Sequence, residues 1–207
     1  MITIVPISHV AKESTENVKR AIRELKPDFV AVELCPERTA RGSREKVRAG
    51  ISRRSVIARI LVYFQEKYAR KVGTKAGNEM KVAMREAKKI GAEVLLIDRP
   101  VSVTLERLSE SISVWDVLRI LWQGATGEEL PFDLNSVPGQ GVVDELVLEL
   151  KSEFPKIYKV LITERDAHMA AQLKGRDNAV AVIGAGHVKG VMRLLHENVQ
   201  LFGAGNP

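Results

Sequence analysis

Two histidines occupy matching places near the two ends of the chain. His9 follows an apolar, β-branched run at residues 2–5, in Pro6-Ile7-Ser8-His9. His187 follows residues 179–183 in Gly184-Ala185-Gly186-His187. Each run reads as a buried strand, and each histidine opens a helix. If the two strands lie in one parallel α/β sheet, their carboxyl ends share the edge where such folds bind ligands, and the two imidazoles converge. A helix N-terminus disfavours imidazolium and keeps each ring neutral, as a metal ligand must be. Glu33 closes a further apolar run at residues 29–34, on the same predicted edge. Two histidines and one carboxylate form a known ligand set for catalytic zinc and for non-haem iron. The same spacing also suits two hydrogen-bonded structural histidines at strand ends, and the residues alone leave both readings open.

Other charged residues stand near this edge. Thr163-Glu164-Arg165-Asp166 packs three charges into a helical stretch. On a solvated face these form ion pairs worth little each; turned inward, Arg165 becomes an anion clamp or oxyanion stabiliser. Arg38, five residues after Glu33, has the same option. Glu79 and Asp98 are further candidate acids, with Asp98 better placed at a strand's end. Gly184-Ala185-Gly186 is half of a phosphate-binding turn, but the third glycine of GxGxxG would fall at Lys189, with Gly190 beside it, so dinucleotide binding is not expected. His168 and His196 fall inside predicted helices without a partner pattern and read as structural or surface residues.

The elements that must position these groups follow from periodicity. A strand at 2–5, a helix at about 13–25 with Val18, Ala21, Ile22 and Leu25 on one face, and a strand at 29–34 make a βαβ unit, with Pro27 stopping the helix. Helices are expected at about 52–72 and 78–90, the second ended by Gly91. A strand at 92–97 follows, and then an apolar stretch at 113–123 that is too short to span a bilayer. Residues 130–141, with two prolines and two glycines, read as a flexible loop. Helices at 142–153 and about 156–173, a strand at 179–183 and a helix to about 196 complete the chain. The expected fold class is α/β: one domain over 1–207 with a parallel-rich sheet of about four or more strands, a basic helical insertion at about 37–91 and a flexible loop at about 124–141.

Composition bounds the function classes. Of 207 residues, 45% are hydrophobic and 28% charged, which excludes wholesale disorder. One cysteine, Cys35, excludes an intrachain disulfide framework and a Cys-rich zinc module. The first ten residues lack a basic n-region, and no apolar run approaches ~18 residues, so a cytoplasmic location is expected. Sixteen of the 32 Lys and Arg, but five of the 26 Asp and Glu, fall between Glu37 and Lys89. That segment reads as a solvated helical face or as a surface for anionic headgroups or an acidic neighbour. Nucleic acid is not an expected partner, because aromatics are 5% and do not interleave with the basic residues. The 113–123 and 52–72 stretches both offer faces to bury, so a homodimer is expected.

An ordered set of segments resembles the TraB/PrgY family, which includes the TIKI proteins. The set comprises Ile7-Ser8-His9-Val10, Val32-Glu33-Leu34-Cys35 with Arg38, Glu79-Met80, Ile97-Asp98-Arg99 with Thr104-Leu105-Glu106-Arg107, Thr163-Glu164-Arg165-Asp166 with Met169-Ala170, and Gly184-Ala185-Gly186-His187-Val188 with Gly190. The resemblance spans nearly the whole chain. It implies a fold like the erythromycin-esterase/ChaN group and a divalent-metal-dependent, peptidase-like hydrolase acting in peptide-signal processing or inactivation. It implies a Mn, Co or Zn ion on His9, His187 and Glu33, and catalytic roles for Glu33 or Glu79 as general base and for Arg38 or Arg165 as oxyanion stabiliser. Family members often continue into a C-terminal membrane region, so membrane association is expected if such a region belongs to the protein. One departure is Pro6 where the family's first GxxH motif has glycine; proline fixes φ and removes a backbone donor before His9. The alternative expectation is a non-catalytic module that binds a peptide, an anion or a membrane partner on the same fold.

Overall fold

The computed structural model describes residues 1–7, 12–40, 78–111, 113 and 140–203. His9, the 52–72 helix, nearly all of the apolar 113–123 stretch and the loop at 124–139 lie outside the described residues. Strand β1 (Ile2–Ile7) leads to helix α1 (Lys12–Leu25), β2 (Phe29–Val32), α2 (Pro36–Ala40), α3 (Asn78–Ile90), β3 (Glu93–Leu96) and α4 (Val101–Ser111). After 113 come α5 (Gln140–Glu153), α6 (Pro155–Tyr158), a π-helical segment (Lys159–Thr163), α7 (Glu164–Leu173), β4 (Ala179–Gly184), α8 (Ala185–Leu195) and β5 (Val199–Leu201).

The five strands form one sheet in the order β3-β2-β4-β1-β5, and every pairing is parallel. The α/β class is thus as the sequence predicts, with a fifth strand, β5, that the three-residue run Val199–Leu201 is too short to announce. Parallel strands are covered on both faces, which is why Val-Ile-Ala runs fill β1, β2 and β4. Val18, Ala21 and Ile22 of α1, with Met80, Ala83 and Ala87 of α3, cover one face over Val5, Ile7, Val30, Val32, Val180 and Val182. Met169, Ala170 and Leu173 of α7, with Val188 and Val191 of α8, cover the other over Ile2, Ile4, Ala31, Ala181 and Ile183.

Helix boundaries follow local chemistry. Lys26 takes a left-handed φ of 42° immediately before Pro27, ending α1, and Gly91, at φ 75°, ends α3. Leu25, predicted on the inward face of α1, is instead exposed at the last residue of the helix. The helix predicted from 142 begins at Gln140, two residues into the predicted loop. Val101–Ser111 is helical although its periodicity is weak, because Thr104 and Arg107 are used in polar contacts rather than in an apolar stripe. Pro6 lies inside β1, paired with Ile183, where β5 no longer runs alongside, since β5 meets only Ile2–Ile4. The missing N–H is tolerated at such an unpaired flank.

The central constraint for function is where β2 and β4 end. They are neighbours, with Val32 opposite Val182, and the chain leaves them for opposite faces of the sheet. That is the topological switch point at which open α/β sheets place ligands. Ile22 is fully buried between α1 and this sheet. Ile22→Ala should lower unfolding free energy by about 2–5 kcal/mol in urea titrations, with the m-value unchanged.

Candidate functional site

Glu33 follows β2, Asp98 follows β3, and Gly184 ends β4, so all three stand on the carboxyl edge of the sheet. Helix α7 delivers Arg165 and Asp166 from its first turn, and α8 delivers His187 from its own first turn. Arg165 is the hub. Its Nε and Nη2 donate to the two oxygens of Asp98 at 2.9 and 3.0 Å, and Nη2 also donates to Glu33 Oε1 at 2.5 Å. Nη1 donates to His187 Nε2 at 3.0 Å and to the Leu161 carbonyl at 3.4 Å. A guanidinium has five N–H groups, and these five contacts use them all.

His187 is buried, with Nδ1 2.6 Å from Asp166 Oδ1 and Nε2 3.5 Å from Glu33 Oε1. Asp166 as a carboxylate only accepts, and Arg165 only donates. The ring is therefore the neutral tautomer with its proton on Nδ1 and its lone pair on Nε2. Glu33 Oε2 accepts the Gly184 backbone N–H at 2.7 Å. A Cβ on Gly184 would lie 3.0 Å from that oxygen, so glycine leaves the carboxylate room. Burial pushes the Glu33 carboxyl up, but its favourable interactions with His187 and Arg165 and the bonds from Gly184 and Arg165 outweigh this. Glu33 is held below the usual carboxylate range. Burial alone would lower the Arg165 value; the charges and bonds of Glu33 and Asp98 raise it instead.

The three consecutive charges of α7 diverge to different partners. Glu164 accepts from Arg99 at 2.6 Å and from Arg107 at 3.1 Å, while Asp98 Oδ1 also accepts the Arg99 backbone N–H at 2.8 Å. The π-helical segment before α7 has a part in this. Its Glu164 N–H bonds back to Lys159, and the carbonyls of Val160 and Leu161 receive N–H groups of Arg99 and Arg165. Such π turns recur at functional sites because they re-aim backbone groups. Surface ion pairs, one of the two readings of this stretch, do not describe Arg165 or Asp166, whose side chains are 17% and 6% exposed.

Of the residues singled out by sequence, Glu33, Asp98, Arg165 and His187 come together, with Arg165 bonded to each of the other three. His9 lies outside the described residues, as does the side chain of Arg38, whose backbone belongs to α2. Glu79 is buried in the first turn of α3, and among the described residues its Oε2 has no hydrogen-bond partner and no bond joins it to the cluster. Asp166 has a role that the sequence pattern did not assign. Its signal was Gly190 inside a helix, where a Cβ would fall 1.9 Å from Asp166 Oδ2.

Two predictions follow from this geometry. Ala normally stabilises a helix interior relative to Gly by about 0.5–1 kcal/mol, whereas Gly190→Ala should destabilise by about 1–3 kcal/mol or more because it displaces Asp166; urea titration gives the sign. The lowered Glu33 value contributes stability that is present above its ordinary value of about 4.5 and lost as pH falls through the folded value. The urea midpoint should therefore drop on acidification below about pH 4.5, less steeply in Glu33→Gln; a midpoint that rises on acidification contradicts the assignment.

The family model of TraB/PrgY/gumN matches residues 2–199. The chain is 33% identical over 210 residues to an uncharacterized protein of Methanocaldococcus jannaschii, covering 94% of this chain and 53% of that protein. It is 24% identical to TraB domain-containing proteins of human and mouse, covering 91% of this chain and 61% of each of them. The chain thus spans just over half to three-fifths of the length of these curated relatives. No helix among the described residues is long and apolar enough to cross a membrane. With a family match that runs from the first strand to the last, the chain belongs to the TraB/PrgY/gumN family.

Proposed function

We propose that this domain is a hydrolase whose reaction takes place at the Glu33–Arg165 pair on the carboxyl edge of the sheet. The observation that supports it is the convergence of Glu33, Asp98, Arg165, Asp166 and His187 from four separate chain segments, with Glu33 and Arg165 the members that solvent reaches most. A carboxylate offers about four acceptor positions; Arg165 and Gly184 occupy two of those of Glu33. Glu33 is thus ionised and has capacity left for a water molecule. It takes a proton from that water as the water oxygen bonds to the substrate carbonyl carbon, and the proton then passes to the leaving amine or alcohol. The fixed charge of Arg165 beside Glu33 stabilises the oxyanion through space; a direct bond requires one of its engaged N–H groups to be shared. His187, held by Asp166, keeps Arg165 in place. Amide bonds of peptides are the substrate class, on the strength of the family resemblance.

A divalent ion would, when bound, polarise the carbonyl and acidify water. The described residues do not fit one as they stand. Glu33 Oε1 and His187 Nε2 are both bonded to Arg165, and among the described residues no three His, Cys, Asp or Glu are disposed around a common ion position. No step is therefore routed through an ion. The complete use of the Arg165 N–H groups favours a second reading, a non-catalytic module that binds peptide on this edge. Hydrolysis of a peptide and ester panel by the full chain separates the two. On the leading reading Glu33→Gln lowers kcat by about 10²–10⁴-fold with the fold retained; binding of peptides with no turnover would support the module instead.

A further inference from the structure

We infer that the outer face of helices α1 and α3 docks on an anionic lipid surface. The cations of α3 lie against the headgroups, and Leu25 and Ile90 are the apolar points that enter the bilayer. This does not rest on the hydrolase reading.

The charge of α3 is sorted by face. Both of its acids, Glu79 and Glu86, are buried, whereas Lys81, Arg85, Lys88 and Lys89 are all exposed. Residues spaced i, i+4, i+7 and i+8 line one side of a helix, so the solvent side of α3 carries positive charge alone. Glu86 is the inward partner of Lys89 at 2.7 Å and of Arg23 on α1 at 2.9 Å, which ties the two helices together and brings Arg23 to the same surface. Lys81, Arg85 and Lys88 have no salt-bridge partner among the described residues. Both helices end just before β2 and β3 begin, at the amino edge of the sheet. Each finishes in an exposed aliphatic side chain, Leu25 at 38% and Ile90 at 37%. The turns beyond them, residues 26–29 and 91–93, wall an open recess of about 450 Å³. The exposed acids at this end are Glu24, Asp28 and Glu93, and Asp28 accepts from Asn178.

The chemistry of the face selects its occupant. Separate aliphatic points among lysines and arginines match a bilayer surface, with hydrocarbon beneath and anionic headgroups around them. A protein interface draws instead on an apolar core from which Lys is depleted. Two copies of this face would set cation against cation. Nucleic acid would offer the cations phosphate but nothing for Leu25 and Ile90. Arg165 and His187 enter their cluster from α7 and α8, which cover the opposite face of the sheet, so docking leaves that site uncovered.

The test is flotation of the full chain with vesicles of phosphatidylcholine alone or with about one-third phosphatidylserine, at low and at high salt. The expected result is binding to the phosphatidylserine vesicles at low salt only. Lys81→Gln/Arg85→Gln/Lys88→Gln should lower that partitioning about 100-fold, and Leu25→Ser/Ile90→Ser about 10-fold. A control of equal net charge, Lys151→Gln/Lys156→Gln/Lys189→Gln, removes three exposed cations outside this face and should bind as wild type does. No binding to either vesicle, or equal losses in the two triple variants, would overturn the inference, as would unchanged binding of Leu25→Ser/Ile90→Ser. Retention on immobilised polyglutamate without vesicle binding would also overturn it and give the face to an acidic protein. Peptide turnover bears on the hydrolase reading alone, since none of these residues belongs to the Glu33–Arg165 cluster.

Discussion

Three carboxylates, buried Asp98 and Asp166 and partly buried Glu33, crowd together at the carboxyl edge of the sheet, and placing them there demands positive charge and N–H donors in the same small volume. One guanidinium supplies most of both. Arg165 grips Asp98 with a bidentate fork, reaches Glu33 with the same terminal nitrogen, and turns its last donors to His187 and Leu161. A lysine could not substitute, since a point charge with three donors does not reproduce the planar fork. The remaining carboxylate, Asp166, is satisfied through the imidazole, whose opposite nitrogen closes the circuit back to Arg165. Loss of any member therefore leaves a buried charge or a buried lone pair without its partner.

The architecture exists to make that meeting geometrically possible. Parallel pairing brings the ends of β2, β3 and β4 to one edge, and the helices from opposite faces begin there. Two glycines set the clearances: Gly184 admits the Glu33 carboxylate against β4, and Gly190 admits Asp166 against α8. The π-helical segment before α7 turns two backbone carbonyls toward Arg99 and Arg165. A second layer, Arg99 with Glu164, Thr104 and Arg107, ties α4 to the start of α7 and fixes the angle at which Arg165 enters. Glu79 stands apart as a buried acid at the same edge, joined to none of these residues by a bond.

Much of this was legible in the amino-acid sequence, and the reason is periodicity. Runs such as AVAVI and FVAV read as buried parallel strands, and residues just beyond such strands share an edge, as Glu33, Asp98 and His187 do. The partner of His187 was less legible. Asp166 sits in a charged helical tetrad that equally describes a solvated face, and only packing against Gly190 separates the two. Strand β5 was missed because three residues carry no usable period, and α4 because its polar face serves Arg99 and Glu164 rather than solvent. The charge and position of Arg165 suit an anion clamp or oxyanion stabiliser on the sequence alone, but that all its N–H groups are engaged within the chain is not visible there. Donor saturation is a property of the assembled site that no spacing reveals.

The claim on which everything else depends is that Arg165 donates to the Nε2 lone pair of His187 while Asp166 takes the Nδ1 proton. Long-range ¹H–¹⁵N NMR correlation of the His187 ring in the full chain reads this directly. The account predicts a single neutral tautomer, with the proton on Nδ1, an unprotonated Nε2, and a change in the Nε2 shift on Arg165→Met. A ring protonated on Nε2, or an Nε2 resonance indifferent to Arg165→Met, would contradict it.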